Sequence, residues 1–108
     1  MKSDIDGIEL AASLEEALDN GDKDLAVLKP YLLRAPLEAL CIRGGFETDI
    51  IIYARHEKTA FFIAMDSAQF GVGEMNEHGD VVDAFHYPNI KMALRSFVGA
   101  VTRKKGEA

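Results

Sequence analysis

Two neighbouring stretches of this chain are apolar on both sides of an extended backbone, and that limits the architectures open to it. In residues 50–54, Ile50, Ile52 and Ala54 point one way while Ile51 and Tyr53 point the other. In residues 60–65, Phe61, Ile63 and Met65 oppose Ala60, Phe62 and Ala64. A strand with one wet face alternates apolar and polar residues, so strands apolar on both faces must be covered on both. Two arrangements meet that demand: helices on both sides of the sheet, or helices on one side and a second subunit on the other.

The surrounding residues supply the rest of the sheet. Residues 37–43 read as a strand, closed by the turn dipeptide Gly44-Gly45. Residues 46–55 are β-branched and apolar, and His56-Glu57-Lys58 is polar enough for a hairpin loop. Residues 59–66 follow, then a weaker strand over 70–75 that carries Gly71 and Gly73. Asn76-Glu77-His78-Gly79 turns the chain, and residues 81–86 return. Five short strands with short connections predict an antiparallel meander.

Helical periodicity brackets the sheet. Asp6-Gly7-Ile8-Glu9 has the form of a capping box with Asp6 as N-cap, and Leu10, Ala11, Leu14, Ala17 and Leu18 make one apolar stripe. Asn20-Gly21 is a natural stop, which predicts a first helix over about 7–20. Residues 25–34 read as a second helical segment, with Pro30 inside it and Pro36 ending it. After Tyr87-Pro88, Asn89 caps a last helix over about 90–104, whose stripe is Ile90, Ala93, Leu94, Phe97, Val98 and Val101. Arg103, Lys104 and Lys105 fall where the helix dipole favours cations. The expected fold is one α+β domain over residues 1–108, in the order α-α-β-β-β-β-β-α.

Composition supports a globular chain: 48% of the 108 residues are hydrophobic and 28% charged. The one cysteine, Cys41, excludes an internal disulfide, and its apolar neighbours Leu40 and Ile42 predict a buried thiol. No signal peptide is expected, since the first 20 residues carry six acids. No apolar run approaches the ~18 residues of a membrane span. The expected address is therefore the cytoplasm, with no membrane association. The net charge of −6 is concentrated at the start: residues 1–24 hold eight acids against Lys2 and Lys23, and the remainder balances. Free nucleic acid is not an expected partner, because phosphate neutralisation needs a concentrated basic face.

Candidate chemistry is sparse. His56, His78 and His86 lack metal-ligand spacing and read as solvated turn or strand-end residues, so neither metal nor cofactor is expected. Gly71-Val72-Gly73 has no third glycine and no helix after it, so a bulge or a close backbone approach replaces a phosphate cradle as its reading. Asp66-Ser67 ends a central strand and reads as a capped turn. Glu15-Glu16 and Glu74 with Glu77 read as solvated, since no apolar pocket splits their pKa values. No catalytic motif is recognisable, and the chain is not expected to be an enzyme.

Two surfaces remain as candidate partner-binding sites. Glu9, Glu15, Glu16 and Asp19 cluster on one side of the first helix, either as a solvated face or as an electrostatic docking face for a basic protein. Met92, Ser96 and Gly99 lie opposite the core stripe of the last helix, either as an unoptimised surface or as a place of close approach by another group, for which a glycine inside a helix is the clue. The stretch from Leu14-Glu15-Glu16-Ala17-Leu18 through Tyr31-Leu32-Leu33-Arg34-Ala35-Pro36-Leu37 is similar to the opening of the bacterial serine-sensitivity-enhancing family. That resemblance implies two short helices followed by a strand, and no site residues. The function expected from these residues is non-enzymatic protein binding, as a small acidic inhibitor of the immunity or anti-defence type on a basic partner. The alternatives are a homodimeric adaptor or secretion chaperone, for which the two-sided sheet is the clue, and a small enzyme with a tertiary-assembled site.

Overall fold

The sheet satisfies its two apolar faces by closing on itself. The computed structural model describes the backbone of residues 2–65 and 69–107 and the side chains of residues 9–23, 25–65 and 69–102. Five strands, β1 (Leu32–Arg43), β2 (Phe46–His56), β3 (Thr59–Ala64), β4 (Gln69–Met75) and β5 (Val81–Tyr87), pair in chain order, each antiparallel to the one before. β5 then meets β1 in parallel at Cys41 and Val81, which closes a barrel. The helix α1 (Lys2–Asp19) and a 3₁₀ segment (Asp24–Tyr31) precede the strands, and α2 (Ile90–Glu107) follows them. This is the expected α+β order.

Closure replaces both arrangements expected for the two-sided strands. Cys41, Ile50, Ile52, Ala60, Phe62, Ala64, Met75, Val81 and Ala84 form one buried cluster inside the barrel. Tyr53, Ala54, Phe61, Ile63, Phe70 and Val72 face outward and pack with Leu14 of α1, Leu25 and Leu28 of the 3₁₀ segment, and Phe97 and Val101 of α2. The helices cover the outer face, and the inner face covers itself. Strand twist and bulges supply the curvature. The inner face therefore provides no reason for a second copy.

Three irregularities bend the strands. Ile52 pairs with Phe62 and Ala54 with Phe61, so Tyr53 is an extra residue on β2. The extra residue turns Ala54 to the outer cluster, away from Ile50 and Ile52, which corrects the simple alternation expected there. On β5, Asp83 and Ala84 together oppose Gly73, with Asp83 at φ 52°. On β1, the register shifts between Leu32 and Leu37. Pro36 lies within that shift, in a strand rather than at the end of a helix, because a bulge needs no ladder N–H from it. The helical segment expected over 25–34 is shorter, and ends at Tyr31: Leu32 is already extended at ψ 136°.

The glycines of β4 make room for the interior. A Cβ on Gly71 would collide with the outer edge of the Phe62 ring, and one on Gly73 would sit 2.7 Å from Val81 Cγ1 and 2.9 Å from the Ala84 Cα. Close approach and a bulge, the two readings of this pair, both occur. In so narrow a barrel a large residue on one strand needs a small one opposite.

The helix ends follow local chemistry. The Asp22 N–H donates to the Ala17 carbonyl (3.1 Å) and the Gly21 N–H to that of Leu18 (3.2 Å), the paired bonds of a Schellman stop. The Lys91 N–H donates to Asn89 Oδ1 at 2.7 Å, so Asn89 is the expected cap of α2. Asp6 is not the N-cap of α1. The helix begins at Lys2 and runs through Asp6 and Gly7, since neither proline nor glycine lies among residues 2–5. Asp66, Ser67 and the side chains of Arg103, Lys104 and Lys105 lie outside the described residues.

Candidate functional site

At one end of the barrel meet the β1–β2 turn, the last residue of β3 (Ala64), the first residue of β4 (Gln69) and the exit of β5. The turn is Gly44-Gly45, with φ 53° and 88°, the two consecutive left-handed residues of a two-residue hairpin loop. It pairs Arg43 with Phe46 directly across the hairpin. Phe46 stays 78% exposed there, although nearly every other phenylalanine among the described residues is buried. Between these elements lies a pocket of about 590 Å³, lined by Cys41, Arg43, Phe46, Thr48, Gln69 and His86 among others. That volume is in the ordinary range for a ligand or side-chain pocket.

His86 enters the pocket from β5. It lies opposite Gly71 and stacks edge-on against Phe62 with ring centroids 5.7 Å apart. Burial lowers its pKa below the ordinary value, and the nearby Arg43 charge lowers it further. Arg43 Nη1 donates to His86 Nδ1 across 3.4 Å. The guanidinium can only donate, so Nδ1 accepts, and the neutral form of the ring carries its N–H on Nε2. The expectation of a solvated strand-end histidine is corrected here: His86 is half-buried, on the same face of β5 as the inward Ala84 two residues before it. His78 is exposed as expected, and its backbone N–H donates to Asn76 Oδ1 at 2.8 Å. His56 is partly covered, edge-on to Tyr31 with centroids 5.4 Å apart, and lies 3.5 Å from the Glu57 carboxylate.

The pocket's other groups are quiet. Cys41 is buried, as expected, and burial pushes its thiol pKa up against the opposing influence of Arg43. A raised pKa disfavours the thiolate that nucleophilic chemistry requires. The Thr48 hydroxyl donates to the Cys41 carbonyl at 3.5 Å. What remains for a ligand is one permanent cation, a neutral imidazole N–H, an amide from Gln69 and an apolar wall. This set can hold an anionic or carbonyl group beside an apolar one. Among the described residues, no three His, Cys, Asp or Glu side chains gather to hold a metal ion. No helix of the described residues is long and apolar enough to cross a membrane.

The residues expected at a partner-binding surface lie elsewhere, and none lines this pocket. Glu9, Glu16 and Asp19 are exposed on α1. Glu15, on the same helix, accepts a hydrogen bond from the Tyr53 hydroxyl at 3.1 Å and so ties α1 to β2. On α2, Met92 is 51% exposed and the Cβ position of Gly99 is open. Ser96 is half-buried and takes the Tyr87 hydroxyl at 2.9 Å. Sequence reasoning missed Arg43, Phe46 and His86 as a group. The available signal was an aromatic residue directly after a two-glycine turn.

Comparison of the chain with family models, with curated proteins and with solved structures finds no match.

Proposed function

We propose that this chain is a non-enzymatic protein-binding module that engages its partner through the barrel mouth. The observation that carries this reading is Phe46, 78% exposed on a tight turn beside Arg43. Phe85 of β5, next in sequence to His86, is 69% exposed as well. Large apolar side chains held in water favour being covered, and aromatic and arginine residues concentrate binding energy at protein interfaces. The high thiol pKa of Cys41 and the engagement of His86 Nδ1 by Arg43 favour binding over covalent catalysis at this pocket. The test is affinity capture from a native lysate with wild type and Phe46→Ser, at low and then high salt. The variant should keep its melting behaviour and lose the captured partner. Equal capture by both proteins would overturn the reading.

A second reading is favoured by the exposure of Glu9, Glu16 and Asp19 along α1. In that reading the module is an acidic inhibitor of the immunity or anti-defence type, whose helix face steers it onto a basic protein. Reversing these three residues to lysine should slow association and flatten its salt dependence, while exposed surface changes leave the fold intact. Glu15 is kept, because Tyr53 depends on it. Unchanged association rates would reduce this face to solvated surface.

A further inference from the structure

The barrel is closed along only part of its seam. β1 and β5 run parallel and share the single register pair Cys41 with Val81. Advancing both strands from that pair, β1 ends at Arg43 when β5 has reached Asp83. β5 continues to Tyr87, while the chain after Arg43 turns back through Gly44-Gly45. Over residues 84–87, Phe85, His86 and Tyr87 therefore pair with β4 on one side, Ala84 belongs to the bulge, and none has a β1 partner on the other. Along an extended strand, alternate N–H and C=O groups point to each side, so half of those on this length face away from β4. The length is about 13 Å at ~3.3 Å per residue, room for a short added strand. Arg43 reaches His86 on this length, and both line the mouth pocket with Phe46.

We infer that the free edge of β5 over residues 84–87 accepts an extended segment of a partner protein as an added strand, with an acidic side chain of that segment on Arg43 and an apolar one on Phe46. The inference rests on the reading of the chain as a protein-binding module. Strand addition supplies main-chain hydrogen bonds that any sequence can make, and side chains at alternate positions supply selectivity. Arg43 sets the charge, since its guanidinium is exposed and its contact in the fold is with a neutral imidazole. Asp83, at the left-handed φ of 52°, lies level with the end of β1, and its bulge against β4 bends β5 at the start of the unpaired length.

The probe is a synthetic heptapeptide of alternating valine and threonine with one central glutamate. Three companions complete the set: the same peptide with lysine for glutamate, and two forms N-methylated along one edge or the other. Titration into isotopically labelled protein should shift the amide signals of residues 84–87 with the glutamate peptide. Methylation of one edge should abolish binding while methylation of the other preserves it. Arg43→Glu should weaken the glutamate peptide by roughly tenfold or more and reverse the preference towards lysine. Equal binding of the two methylated forms, indifference to Arg43→Glu, or no binding of any peptide would each overturn strand addition. If strand addition fails while Phe46→Ser still loses the captured partner, the protein-binding reading stands by itself.

Discussion

The ring of Phe62 on β3 fills the space that a side chain on Gly71, its ladder partner on β4, would occupy. The Phe62 side chain is fully buried inside the barrel, so it has no solvent into which to retreat. Gly71→Ala should therefore destabilise the fold by about 1–3 kcal/mol or prevent folding, the usual range for overpacking. Phe62→Leu should relieve part of that cost. Urea denaturation of the two single variants and the double variant measures it, and strictly additive losses would show that the ring and the glycine do not share one space.

Tyr53 and Glu15 predict an alkaline limit to stability. Burial, and then the charge and hydrogen bond of Glu15, push the Tyr53 phenol up from 10.0 to about 12. The folded pKa is the higher one, so the unfolded chain releases this proton first. The contribution to stability is complete below pH 10 and is lost as pH rises towards 12. Tyr53→Phe should remove that slope and cost about 1 kcal/mol at neutral pH through the lost hydrogen bond. Denaturation midpoints across the alkaline range check both effects, and an unchanged slope would place the limit on other groups.

Ala93, Leu94, Phe97 and Val101 on the inner stripe of α2 are buried. Phe97 is fully buried and meets Tyr31 and Phe61 edge-on, with centroids 5.6 and 6.1 Å apart. Phe97→Asp or Leu94→Asp should unfold the protein, because an unpaired buried charge costs several kcal/mol against a total stability of ~5–15 kcal/mol. Native melting of either variant, followed by circular dichroism, would place the stripe outside the core.

Barrel closure also predicts an oligomeric state. With the inner sheet face buried by its own side chains, sedimentation at micromolar concentration should show particles of 11.9 kDa. A dimer would indicate association through another surface, with the exposed Phe46 and Phe85 the first to replace.

Features that act over a few residues are legible in the order of amino acids. Asn89 caps α2 through a bond to the amide two residues on, and Gly21 belongs to bonds that span one helical turn. The two-residue loop at Gly44-Gly45 sets the hairpin register, and the periods of β3 and α2 declare their buried faces. The apolar residues on both faces of β2 and β3 likewise state that each face must be covered, because burial is a property of the side chain itself. Position 54 escapes such reading. The bulge at Tyr53 exists only in the pairing of β2 with β3, and one extra residue moves Ala54 to the opposite face.

The means of covering those faces is a tertiary decision. Twist and bulges accumulate over five strands until β5 reaches β1, and no single strand contains that sum. Arg43 and His86 are separated by 43 positions and meet only because the barrel closes. His86 turns inward because the bulge at Asp83 and Ala84, which exists only in the pairing of β5 with β4, resets the alternation of β5. The acidity of the first helix belongs to the sequence alone, whereas the tie between Glu15 and Tyr53 needs α1 laid against β2. Local bonds and hydrophobicity are encoded residue by residue; the mouth of the barrel, with Arg43, Phe46 and His86 around it, is produced by long-range closure.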